Sequence, residues 1–154
     1  MPPLKIRRDH LTGKKIADFL QEHLDHMNEI TPPESVHALD LGALRSPEIT
    51  FWSVWEGDEL LGCGALKEID PHRGEIKSMR TAEAHRGRGI GSMMLEHIIQ
   101  VAKGRDYRCL NLETGAMDEF GPARRLYQRY GFEYQGPFAD YIDDPNSVFM
   151  IKTL

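Results

Sequence analysis

The sequence predicts an α/β (α+β) single domain built on a mixed sheet. Three observations carry this. Strand-like and helix-like runs alternate in the order β-α-α-β-β-β-α-β-α-β-β. The three central β-rich runs are joined by tight-turn residues, so that part of the sheet is antiparallel. A glycine loop late in the chain sits between a strand and an amphipathic helix. The 154 residues suffice to bury a core, and no repeat, low-complexity tract or linker divides them.

Residues 4–8 form the first strand. Ile16, Phe19, Leu20, Leu24 and Met27 recur at helical spacing, predicting a helix over residues 12–28 that Thr31-Pro32-Pro33 breaks. A second short helix is expected from Glu34 to Leu44, ended by Ser46-Pro47. Ile49 to Glu56 and Glu59 to Ile69 flank the hairpin signal Gly57-Asp58, and Glu75 to Thr81 follows the turn Asp70 to Gly74. After the loop, Ile90, Met94, Ile98 and Val101 share a helix face that closes near Gly104. Tyr107 to Thr114 is a buried strand, and residues 120–130 a helix with Ala123, Leu126, Tyr127 and Tyr130 at core spacing. Phe132 to Phe138 and Val148 to Lys152 form a final pair joined by Asp143-Asp144-Pro145-Asn146.

With 40% apolar and 28% charged residues, the composition is that of a soluble globular protein. A net charge of −5 argues against broad nucleic-acid binding. Cys63 and Cys109, each in an apolar strand, read as buried and reduced. No run is apolar enough to span a bilayer, and the start lacks the apolar region of a signal peptide, so no membrane association and a cytoplasmic location are expected.

The stretch Arg86-Gly87-Arg88-Gly89-Ile90-Gly91-Ser92 carries the functional signal. Three glycines in five residues admit a ligand to the backbone, and the helix that follows turns unpaired N–H groups and its positive end toward it. A phosphate or pyrophosphate is the favoured occupant. Arg80, His85, Arg86 and Arg88 add a local basic cluster on an acidic chain. The nucleotide motifs do not fit. A P-loop needs lysine between its last glycine and Ser/Thr, and here Ser92 follows Gly91 directly. The dinucleotide fingerprint needs a third glycine where Ser92 or Met94 stands.

What remains is Arg-x-x-Gly-x-Gly (Arg86, Gly89, Gly91), followed roughly 35 residues later by Ala-x-x-Leu-Tyr-x-x-x-Gly-Phe (Ala123, Leu126, Tyr127, Gly131, Phe132). This pair resembles the GNAT superfamily of acetyl-CoA-dependent N-acetyltransferases, and the element order matches across nearly the whole chain. The tail from Pro137 to Met150 is similar to a small bacterial subgroup of poorly characterised members. The resemblance implies a mostly antiparallel twisted sheet of about seven strands with about four helices, splayed between strands four and five. It implies acetyl-CoA as co-substrate and a primary amine as acceptor, a small metabolite or amino acid, with a protein lysine or N-terminus as the runner-up. A non-catalytic acyl-CoA-binding module is the alternative of another class. Dimers are frequent in the family, so a homodimer is one expected state, and no metal is implied.

In residues, the resemblance places the coenzyme A pyrophosphate on the N–H groups of Arg88, Gly89, Ile90, Gly91 and Ser92, with the Ser92 hydroxyl an extra donor. Arg86 and Arg88 supply positive potential, and a β-branched side chain at Gly89 or Gly91 is expected to strain the turn or meet the ligand. The pantetheine arm pairs with Met79, Arg80 and Thr81, and an N–H near Met79 stabilises charge on the thioester oxygen. Tyr127 is the proton donor to the departing thiol. Glu75, eleven residues before Arg86, matches the catalytic glutamate of histone-type members, with Glu113 as its rival for the base. Phe120 stands where many relatives carry an asparagine that contacts the pantetheine arm.

Other groupings have ordinary readings. His23 and His26 lie three apart on a helix, but no cysteine or second histidine pair backs a zinc site. Arg124, Arg125 and Arg129 form a basic strip, solvated or reaching a cofactor phosphate. Trp52 and Trp55 pack on the sheet, or Trp52 walls the acceptor pocket. Asp140, Asp143 and Asp144 make an acidic turn able to attract a cation, and Glu34 and His37 border the acceptor region.

Overall fold

A computed structural model describes residues 3–32 and 41–154. Its strands are β1 (Leu4–Arg8), β2 (Ile49–Glu56), β3 (Glu59–Asp70), β4 (Arg73–Thr81), β5 (Cys109–Gly115), β6 (Glu133–Gln135) and β7 (Ser147–Thr153). The helices among the described residues include α1 (Lys14–Ile30), α2 (Leu41–Leu44), α3 (Ile90–Gly104) and α4 (Gly121–Arg129). They build one seven-stranded sheet in the order β1-β2-β3-β4-β5-β7-β6, antiparallel except for the β4–β5 pair. A parallel pair needs a crossover, and α3 provides it.

Alternation along β2 shows how the two layers form. Ile49 and Phe51 face α1, joining Leu11, Ile16, Phe19 and Leu44. Trp52 and Val54 face α3 and α4, joining Met94, Leu95, Ile98, Tyr127 and Phe132. Helix α3 seats closely because Gly64 has no side chain: a Cβ there would lie 2.7 Å from Met94 Cγ.

The feature that makes the site is a fault in β4. Lys77 pairs with Ala65 and Arg80 with Cys63, so Ser78 and Met79 together oppose Gly64. Ser78 takes φ +55°, and the Cys63 thiol donates to its carbonyl at 3.1 Å. Such a bulge bends its strand. Correspondingly, β4 and β5 pair only over Arg73–Ile76 and Cys109–Leu112, and beyond that the two strands part.

Several boundaries differ from the sequence reading. The strand expected from Phe132 to Phe138 stops at Gln135, because Gly136 and Pro137 follow and proline offers no ladder N–H. Tyr107 precedes β5 rather than opening it: Asp106 adopts φ +63°, and the Tyr107 hydroxyl donates to Glu68 Oε1 at 2.8 Å. Cys63 is buried, whereas Cys109 is half-buried near the start of β5. Of the second helix only the turn Leu41–Leu44 is described, and Glu34 and His37 lie outside the described residues. Among the described residues no helix is long and apolar enough to cross a membrane.

Candidate active site

Where β4 and β5 separate, a cleft of about 130 Å³ opens between the strands, the end of α1 and the start of α4. Glu75 and Met79 line it from β4, Glu113 from β5, Tyr127 from α4 and Tyr141 from the β6–β7 connection. The sequence placed four of these at one site, and the topology brings them together.

At the mouth, Gly87 and Gly89 take φ +81° and +80°, and a Cβ on either would meet nothing within 4 Å. The backbone is therefore bare toward solvent in a conformation that L-residues resist. The first α3 hydrogen bond runs from Met93 N–H to the Gly89 carbonyl at 3.0 Å, which leaves the amides of Ile90, Gly91 and Ser92 to the loop. Thr81, the last residue of β4, lies beside Gly91. An amide-lined, uncluttered helix start fits a diphosphate group.

The side chains around the loop correct part of the sequence reading. Gly91 is small because α4 packs there: its Cβ would stand 3.2 Å from Leu126 Cδ2, so a larger residue meets the protein before any ligand. Arg88 turns to Glu56 (2.8 Å) and His85 (2.8 Å), and its charge is compensated within the protein. The Ser92 hydroxyl sits beside Tyr130, whose own hydroxyl donates to Glu96 at 2.6 Å. Arg86 stays exposed. Arg124 donates to the Gly115 and Met117 carbonyls at 2.6 and 3.0 Å, tying off the end of β5. Trp52 is a core residue, packed edge-on to His97 with ring centres 4.9 Å apart.

Tyr127 is buried, its ring edge-on to Phe132 at 5.7 Å. Among the described residues its hydroxyl takes no hydrogen bond, and burial pushes its pKa up, so the phenol holds its proton at neutral pH. Phe120 lies against Gly115, where a Cβ would come within van der Waals overlap of the ring, and it lines the cleft.

Glu75 is 3% exposed. Its Oε2 accepts from the Tyr141 hydroxyl at 2.6 Å and from Lys77 Nζ at 3.0 Å, and Lys77 also donates to the Tyr141 oxygen at 2.9 Å. Tyr141 is held by a ring cluster with Phe138 (5.0 Å) and Phe149 (5.5 Å). Its pKa is raised by burial and then by the Glu75 charge. Lys77 and Tyr141 escaped the sequence reading: the contact spans 64 residues, and only the alternation of Glu75 and Lys77 on one strand face hinted at it. Glu113 Oε2 accepts from the Ser147 hydroxyl at 2.7 Å.

His23 and His26 do not share a ligand. His23 meets Arg80, and His26 meets Glu119 at 3.2 Å. Among the described residues no cluster of His, Cys, Asp and Glu is arranged to hold a metal ion.

The sheet is thus wedged open between its two parallel strands, with an amide-lined helix start at one end of the gap. Comparison with known proteins makes this specific. The family model for the acetyltransferase (GNAT) family matches residues 15–132. A Bacillus subtilis protein named uncharacterized N-acetyltransferase YsnE is 57% identical, over 98% of this chain and all of its own length. The IAA acetyltransferase of Azospirillum brasilense is 34% identical over the full length of both. A GNAT family acetyltransferase from Elizabethkingia anophelis, solved with acetyl-CoA bound, shares the fold with a TM-score of 0.65 at 20% identity, over 98% of each chain. The chain belongs to the acetyltransferase (GNAT) family. It is an acyltransferase that uses acetyl-CoA.

Proposed function

We propose that this enzyme moves the acetyl group of acetyl-CoA directly onto the primary amine of a small metabolite or amino acid. One observation carries the reading: a buried, protonated Tyr127 with no protein partner for its hydroxyl among the described residues lines the same cleft as a buried carboxylate, Glu75. Acetyl-CoA supplies an acyl thioester. Its diphosphate is assigned to the amides from Arg88 to Ser92, with Gly87 and Gly89 clearing the approach and Arg86 adding charge. Its pantetheine arm is assigned to the open edge of β4 at Met79, Arg80 and Thr81.

An amine reaches the cleft as an ammonium and has to lose a proton. Lys77 and Tyr141 both bind Oε2 of Glu75, which leaves Oε1 as the oxygen that receives this proton, directly or through water. Tyr127 holds a proton on its phenol oxygen for the sulfur side of the reaction. Glu113, steadied by Ser147, lines the wall beyond.

The small volume of the cleft, about 130 Å³, supports a small acceptor over a protein chain. Thiol release from acetyl-CoA across a panel of small amines tests the reading. Turnover with at least one of them is the expected result. Calorimetric binding of acetyl-CoA with no turnover by any amine or N-terminal peptide would instead leave a non-catalytic acyl-CoA-binding module.

A further inference from the structure

Behind the α1 wall of the cleft, against the cleft-lining His23, stands a cation whose side chain the transfer chemistry does not use. Arg80 lies half-buried over the Phe19 ring, with Cζ 5.6 Å from its centre. Its Nη1 sits 3.0 Å from His23 Nδ1, while its Nε is fully buried with no hydrogen-bond partner among the described residues. Glu22 and Glu83 act on it only through space, and among the described residues no carboxylate reaches ion-pair distance. A guanidinium taken out of water without an anion is costly, so such groups are ordinarily paired.

The arrangement also fixes the imidazole. Arginine can only donate, so His23 Nδ1 must accept, and the ring proton resides on Nε2. His23 lines the cleft, and Nε2–H is the ring donor that Arg80 leaves available. Burial and the Arg80 charge push the His23 pKa down to about 4, in keeping with a neutral ring. Thr31, whose buried Oγ1 is also without a partner among the described residues, lines the same end. Lys77 stands nearby on β4, with its charge matched by Glu75. This end of the cleft therefore presents donors, and directly behind His23 lies the Arg80 cation, which is unmatched among the described residues.

We propose that Arg80 and His23 form a binding corner for a carboxylate carried by the acceptor, so that the enzyme acetylates an amino acid rather than a simple amine. This rests on the transfer reading above and narrows its substrate class. A cofactor phosphate is the other anion that could sit there, and the test separates the two.

Thiol release is measured with α- and ω-amino acids, each beside its own carboxamide. For an accepted pair, the carboxylate is expected to show kcat/KM higher by about 10- to 100-fold, the range for a charge-assisted hydrogen bond. Arg80→Met should bring that preference below about twofold by raising acceptor KM well beyond any change in acetyl-CoA KM. His23→Leu should act in the same direction, and His23→Gln, which keeps an N–H near the Nε2 position, should recover part of the loss. Equal use of carboxamides by the unmodified enzyme overturns the proposal without any variant. So does an Arg80→Met enzyme whose acetyl-CoA KM rises while its acceptor KM stands still. If acetyl-CoA binds and no amine is acetylated, the transfer reading fails. The corner is then judged by calorimetry of the CoA-loaded protein with the same amino acids, and heat that does not depend on Arg80 overturns it.

Discussion

Replacing Tyr127 by phenylalanine removes one oxygen from the cleft and leaves the ring on Phe132. The consequences for stability and turnover run in opposite directions. Among the described residues the hydroxyl has no hydrogen-bond partner, so its loss orphans nothing, while the fold is relieved of a polar atom held in an apolar site. Desolvating an unpaired hydroxyl costs about 1–3 kcal/mol by mutational data. Because this one borders the cleft, the expected gain lies between zero and about 1 kcal/mol, a rise in Tm of at most about 4 °C for a chain this size. A positioned acid contributes about 10²–10⁴-fold to rate, so kcat should drop by that factor with acetyl-CoA affinity unchanged. Thiol release under saturating acetyl-CoA, paired with a thermal melt, reads both quantities. A variant that turns over within twofold of the parent removes Tyr127 from the chemistry. One that melts several degrees lower shows instead that the hydroxyl has a structural partner.

Further outcomes follow from other groups. At Gly89, φ +80° with open space around the Cβ position means that Gly89→Val meets no protein atom but strains the turn, costing about 1–2 kcal/mol, and it should raise acetyl-CoA KM as well. His23 is neutral in the fold with its pKa near 4, against 6.5 when unfolded. The unfolded chain therefore binds the extra proton first: stability is full above about pH 6.5 and declines toward pH 4, by at most about 3 kcal/mol. Urea melts of the parent and of His23→Leu at pH 7 and pH 4.5 should show a smaller pH loss in the variant. Burial pushes the Cys63 thiol up to about 12, so a thiol reagent at pH 8 should titrate no more than one cysteine in the native protein and both after denaturation.

The parts of this molecule that were readable in advance depend on short-range rules. The glycine loop was legible because a left-handed turn at residues 87 and 89 admits few other residues, and α3 because its apolar face repeats over four turns. The Gly57-Asp58 hairpin was legible for the same reason. The β4 bulge was not, because serine carries no signal for the positive φ that Ser78 adopts; it shows only in the register against β3, where Ser78 and Met79 oppose Gly64. Long-range pairing gave several side chains surroundings that local pattern does not carry. Arg88 looked like a ligand-facing cation until Glu56, 32 residues away, claimed it. Gly91 fitted the loop pattern, yet its size is set by Leu126 on another helix. Tyr141 had no periodicity to mark it, and its position follows from two phenylalanines that meet only once β7 joins the sheet.

The extra residue in β4 has an implication for how such an enzyme can diversify. Since surplus backbone in one strand holds the two parallel strands apart, the slot exists before either substrate arrives, and no binding energy is spent prying the strands open. Its width is a matter of chain length rather than of any reacting group. Deleting one residue at Ser78 should zip the strands shut and abolish access while sparing the side chains of Glu75 and Tyr127.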